Sequence, residues 1–142
     1  MGGFDLERFK IMQRRDFGTA LAEVRSGEKQ SHWMWYIFPQ LKGLGHSSTS
    51  WKYGIDGMEE AQAYMQDAYL RDNLLTISEA VLQVEGRTAF DIFGFPDVRK
   101  LQSCMTLFAH AAPEYPVFMQ VIQKYYEGRE DTGTLLRLGL WE

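Results

Sequence analysis

The sequence predicts an all-α protein, a compact single-domain multihelical bundle over residues 1–142, and three observations carry that prediction. Apolar residues recur at helical steps, most plainly at Leu70, Leu74, Ile77, Val81 and Val84, which share one face of a 3.6-residue period. Strand patterns are scarce, and the one hairpin-type dipeptide, Asp56-Gly57, has no alternating apolar runs beside it. Asp and Ser residues suited to starting helices, and Gly residues suited to ending them, bracket most of the apolar stripes.

In chain order, Leu6, Phe9 and Met12 lie one turn apart and predict a short amphipathic helix. Asp16 is placed to cap a second, striped by Phe17, Ala20, Leu21 and Val24 and closed by Gly27, a residue suited to the left-handed terminal position. Next comes the densest apolar stretch, Ser31-His32-Trp33-Met34-Trp35-Tyr36-Ile37-Phe38-Pro39-Gln40-Leu41. Both of its alternating faces are apolar, so periodicity does not separate strand from helix. With Ser31 as N-cap and Pro39 turning Phe38 away from helix, one or two helical turns are expected, a buried strand being the alternative. Gly43 and Gly45 open the backbone, and residues 46–50 read as a polar loop.

Asp56-Gly57-Met58-Glu59 has the form of a capping box and starts a helix carrying Met58, Ala61 and Met65 on one face. The Leu70 stripe follows, closed by Gly86, with residues 67–72 as the joint between the two. Residues 88–94 hold Phe90, Ile92 and Phe93 as an apolar plug before Phe95-Pro96. Asp97 is placed as N-cap of a helix to residue 111, with Val98, Leu101, Met105 and Phe108 on one side and Arg99, Ser103, Thr106 and His110 on the other. Pro113 and Pro116 separate it from a helix over 117–127, ended by Gly128. Asp131 then caps a last short helix bearing Leu135, Leu136 and Leu138. No internal repeat or low-complexity linker divides the chain.

A chain of 142 residues, 45% hydrophobic and 24% charged, has apolar mass enough for a core without cross-links, and the single Cys104 rules out an intrachain disulfide. A reducing, cytoplasmic setting is expected. The longest runs free of Asp, Glu, Lys and Arg, residues 30–41 and 101–113, fall well short of the roughly 20 apolar residues of a membrane-crossing helix. Asp5 and Glu7 with no apolar run beside them argue against a secretory leader. Net charge is −4 and no basic cluster exceeds Arg14-Arg15 or Arg99-Lys100, which disfavours nucleic acid as a partner. His32, His46, His110 and Cys104 show no metal-ligand spacing, so no metal site is expected.

Much of the chain resembles a known family. The run from His32 to Gln40, Gly43-Leu44-Gly45 with Ser47, Tyr53, Ile55, Glu60-Ala61 with Tyr64, Ile92-Phe93-Gly94 with Asp97, Lys100-Leu101, Ser103 and Met105-Thr106-Leu107-Phe108 resemble the bacterial domain of unknown function 1810 family. Some of its members carry the genome label "calpastatin". The resemblance spans nearly the whole chain and implies a compact, soluble, multihelical domain; it brings no established activity or catalytic residues. Where that family tends to show Leu-Gly-x-Arg-Leu, this chain has Leu70-Arg71-Asp72-Asn73-Leu74, with Asn73 in the place of the arginine.

Several residues carry candidate chemistry, each beside a plainer role. His32, at the edge of the apolar stretch, would be a neutral general base if burial lowered its pKa, or else a histidine bonded to backbone. Gly43-Leu44-Gly45-His46-Ser47-Ser48 would wrap an anion with N–H groups and hydroxyls, or form a plain surface loop. It is neither a P-loop nor a dinucleotide fingerprint, so no cofactor is specified. Trp33, Trp35 and Tyr53 offer a stacking face for a base or sugar, or core packing. Lys100 and Ser103 are neighbours on one helix face, the lysine suited to a carboxylate or phosphate and the serine to donating or acting as nucleophile.

Together these residues point to a small anionic ligand, nucleotide-like or a phosphosugar, held between the aromatic segment and the Asp97 helix, with hydrolysis by His32 as base a further step. That reading requires His32, Lys100 and Ser103 to share one pocket. The alternative is a non-enzymatic protein–protein interaction module whose aromatic segment is purely structural.

Overall fold

The computed structural model describes residues 3–141; Met1, Gly2 and Glu142, the ends of the expected domain, lie outside the described residues. Those described form nine helices and no strand beyond one isolated parallel bridge, Leu41 to Ile55. The first helix, α1 (Glu7–Ser26), is unbroken where two were expected. Asp16 sits in its middle, and its carboxylate accepts from the Arg15 side chain and the Tyr36 hydroxyl instead of capping a new helix. The Gly27 close is as expected, with φ at 85° and its N–H on Val24 at 2.9 Å.

The aromatic stretch contributes the single turn α2 (Met34–Ile37). Ser31 does not cap it; its hydroxyl and N–H both donate to Glu23, which also accepts from the Gln30 N–H at 2.8 Å and the Trp33 indole at 2.9 Å. Partial burial by itself would raise the Glu23 pKa. These donors, the Ser31 hydroxyl foremost, overcome that and bring it from an ordinary 4.5 down to about 2. One carboxylate thus ties the start of the aromatic segment back to α1.

The expected polar loop contains a helix, α3 (Ser48–Lys52), because Ser47 turns out to be an N-cap that accepts from the Ser50 N–H at 3.1 Å. In α4 (Gly57–Gln66) the capping box does not form. Glu60, one residue later than expected, accepts from the Asp56 N–H at 2.6 Å. Asp67 is the joint and caps α5 (Ala68–Gln83) through the Leu70 N–H. The apolar plug is itself helical, α6 (Ala89–Phe93), with a capping box between Thr88 and Asp91. Then follow α7 (Asp97–Ala111), α8 (Val117–Tyr126) and α9 (Thr132–Arg137), the last capped by Asp131 as expected.

The helices pack as a layered bundle in which α1 lies on α5, α5 on α8 and α8 on α7, with α4 between α5 and α7. A ladder of rings runs through the centre, Phe9 to Tyr64 to Phe108 to Phe118, with centroids 5.3, 5.2 and 6.0 Å apart. Within it Gln13 is a buried polar hub: it donates to the Tyr36 carbonyl and Tyr64 hydroxyl and accepts from Asn73, each at 2.9 Å. Asn73 therefore has a structural partner. No helix among the described residues is long and apolar enough to cross a membrane.

Candidate functional site

The site is built where α7 begins. Asp97 is the first helical residue, not the cap that was expected; Pro96 occupies the N-cap position. Its carboxylate is instead shared by two lysines, with Lys29 Nζ at 2.8 Å from one oxygen and Lys100 Nζ at 3.1 Å from the other. Each ammonium also lies over an indole, Lys29 over Trp33 at 5.0 Å and Lys100 over Trp35 at 3.8 Å from the ring centroid. The three charged side chains are only 8, 16 and 18% exposed for Lys29, Asp97 and Lys100. Partly buried charge demands pairing, and the ring faces supply what one carboxylate cannot give two cations. Two ammonium groups against one carboxylate leave one net positive charge.

Two hollows open on this cluster and share Trp35 and Lys100 as their common wall. The first, of about 310 Å³, is lined by Lys29, His32, Thr49 and Asp97 among others. The second, of about 440 Å³, lies on the other side of Lys100 and takes in Gly45, Phe95, Arg99, Ser103 and Thr132. A third, also about 440 Å³, is walled by the glycine loop from Gly43 to Ser48 with Trp51 and meets the second at Gly45. Lys100 and Ser103 therefore face one hollow, and Lys100 and His32 another. His32 and Ser103 do not meet in either.

The sequence-derived candidates divide accordingly. His32 is exposed, at the edge of the apolar stretch and not within it. Ser103 donates its hydroxyl to the Arg99 carbonyl at 3.1 Å, one turn back in its own helix. Trp33 is 1% exposed and packs against Phe38 and Phe93, and buried Tyr53 packs against Phe9 and Tyr36. Both are core residues with no free stacking face, a correction to the expected base or sugar platform. Trp35 stays half-buried, one face under Lys100.

In the glycine loop, Ser47 is spent as the α3 cap, and the Gly43 carbonyl accepts from Arg137 at 3.0 Å. Gly45 has a steric reason to be glycine. A Cβ there would stand 2.7 Å from the Ser50 Cβ and 3.2 Å from the Trp35 ring, so the loop closes against the site only without a side chain.

Sequence reasoning passed over Lys29 and the α9 end of the hollow. The only local hint at Lys29 is its place just ahead of the aromatic string. Arg99, which the sequence shows as part of a polar helix face and of the basic pair Arg99-Lys100, lines the Lys100 hollow. One oxygen of the Asp131 carboxylate, at the far wall, accepts from the Thr134 N–H at 2.9 Å and hydroxyl at 2.7 Å. Among the described residues no group of three or more His, Cys, Asp or Glu side chains is placed to hold a metal ion. What the arrangement offers chemically is a cationic, partly desolvated wall beside indole and backbone.

Comparison with known proteins accords with this architecture. The chain is similar to a solved structure of the conserved hypothetical protein Rv1873 from Mycobacterium tuberculosis, determined at 1.38 Å, with a TM-score of 0.94 and 46% sequence identity over 96% of this chain and 97% of that one. No curated protein matches. A family model described as a protein of unknown function, DUF1810, matches residues 3–138, and the chain belongs to that family.

Proposed function

We propose that this protein binds a small phosphate-bearing metabolite in the hollow between the aromatic segment and α7, with Lys100 as the principal anion ligand. The observation that carries the reading is the two-to-one charge ratio of Lys29, Asp97 and Lys100 at low exposure. A lysine ammonium has three donor positions, and the Asp97 oxygen occupies one of those on Lys100. A phosphate oxygen entering from the hollow meets an ammonium already held in place, with Arg99 beside it, so little side-chain freedom is lost on binding. Ser103 and Gly45 both line this hollow, the glycine letting the backbone approach closely. The reading is one of binding: His32 stands in the neighbouring hollow, away from Ser103, so a serine and histidine pair for hydrolysis is not part of it.

Calorimetric titration of inorganic phosphate and pyrophosphate tests this. Lys100→Met, which keeps the packing of the stem on Trp35, is expected to weaken pyrophosphate binding about tenfold or more. Equal affinity in the variant, or no binding to the native chain, would remove the proposal.

A further inference from the structure

We infer that the phosphate in the Lys100 hollow belongs to a nucleotide, whose base lies in the adjoining hollow beneath Trp141; this deepens the anion-binding reading and rests on it. Successive residues of α7 turn about 100° round the helix. From Asp97 the side chains facing the groove follow one another round that arc as Lys100, Ser103, Arg99 and Gln102. Asp97 and Lys100 face the His32 hollow, Lys100, Ser103 and Arg99 the next, and Arg99 and Gln102 a further one of about 530 Å³. That last hollow shares Arg99, Asp131 and Thr132 with the Lys100 hollow, so the two meet along an edge.

The two differ in chemistry. In the further hollow the charges are already matched: Arg129 lies 3.4 Å from Glu127, and Glu130 lies 2.6 Å from His110. Arg99 and Arg129 on its wall are matched in number by Glu130 and Asp131, so the hollow carries no surplus positive charge for a second phosphate. What it presents is the Trp141 indole, 51% exposed, the side chain of Leu135 and the amide of Gln102. The Gln102 Nε2 donates to the Arg129 carbonyl at 2.8 Å, which orients the amide and turns its oxygen to other donors. A flat apolar face with an acceptor at its edge suits a neutral planar heterocycle that carries N–H groups. A phosphosugar has no such face to fill it.

The tryptophans nearest the lysines are closed to this role, since Trp33 is buried and Lys100 already covers Trp35. Arg99, on the shared edge, lies between phosphate and base. The bound molecule is thus a nucleoside phosphate with its anionic end at Lys100 and its ring at Trp141.

The test compares pyrophosphate, ribose 5-phosphate and ADP by calorimetry on the native chain, Lys100→Met and Trp141→Ala. Trp141 is exposed and outside the buried cluster, so its loss leaves the core intact. ADP is expected to bind about tenfold more tightly than pyrophosphate or ribose 5-phosphate, the range a base stacked on an aromatic ring supplies. Trp141→Ala is expected to cut ADP to the level of pyrophosphate while pyrophosphate itself is unchanged. ADP no tighter than pyrophosphate, or ADP unaffected by Trp141→Ala, overturns the inference alone if pyrophosphate still depends on Lys100. Loss of that Lys100 dependence overturns the anion-binding reading with it.

Discussion

Two clusters of partly buried charge hold distant parts of this chain together, and they are built on opposite principles. At one end Arg8 meets Glu60 at 2.8 Å, with side chains 13 and 3% exposed. The remaining Arg8 nitrogens donate to the carbonyls of Lys52 and Gly54, each at 2.8 Å, and the second Glu60 oxygen takes the Asp56 N–H. Charge is balanced one to one, and the protein itself satisfies the fork. At the other end Lys29, Asp97 and Lys100 are comparably buried but balanced two to one, with ring faces standing in for the missing carboxylate. A saturated pair has nothing left to offer a ligand and acts as a clamp among α1, α4 and the α3–α4 link. An unsaturated one is left with positive charge that no carboxylate balances.

That contrast breaks most visibly at the clamp. Arg8→Met leaves the Glu60 carboxylate buried without its cation and is expected to destabilise the fold by about 3 kcal/mol, while pyrophosphate affinity stays as it was. Urea denaturation and calorimetry on the same variant check both halves. Near-native stability would show that Glu60 is solvated by other means and that the two clusters are not different in kind.

A carboxylate satisfied by hydrogen bonds alone supplies the intermediate case. The Glu23 pKa, about 2 in the folded protein, lies below its ordinary 4.5, so its contribution is complete above that ordinary value and fades as pH falls toward the folded one. Native stability followed by urea titration is expected to drop between those pH values. Glu23→Gln is expected to cost about 2 kcal/mol at neutral pH and to flatten that part of the acid slope. An unchanged slope in the variant would assign the acid sensitivity to other groups.

The smallest effect sharpens the comparison at the site. Asp97→Asn removes the one anion between Lys29 and Lys100, so the surplus of positive charge grows. Pyrophosphate binding is expected to tighten several-fold as thermal stability falls by a few degrees, a trade typical of like charges brought together. Weaker binding in this variant would mean that Asp97 serves to position Lys100 more than it neutralises it.

Residue by residue, the sequence was most legible where the physics is local. The Leu70 stripe, the Gly27 close and the Asp131 cap appear as read, because each depends on side chains within a turn or two of one another. Caps were misassigned where a distant partner outbid the local one. Ser31 donates to Glu23, Asp16 engages Tyr36, and Asp97 takes two lysines in place of its own helix start. The same competition explains why Lys100 and Ser103 were found together while His32 was misplaced relative to the serine. One helix face places the first two; only packing against the aromatic segment places the third.

The sequence by itself determined that the chain is helical, that stripes such as Leu70, Leu74, Ile77 and Val81 go inside, and that a lysine and a serine share a side of α7; it did not show that Ser103 and Thr106, on the polar side of α7, are buried too. Only the tertiary structure decided that Trp33 becomes core while Trp35, two residues on, becomes a wall under Lys100, and that Lys29 arrives to share Asp97. The reason is physical: periodicity records which face of an element loses water, whereas the meeting of charges from separate elements is set by how those faces dock. A charge cluster assembled from three segments is a property of that docking.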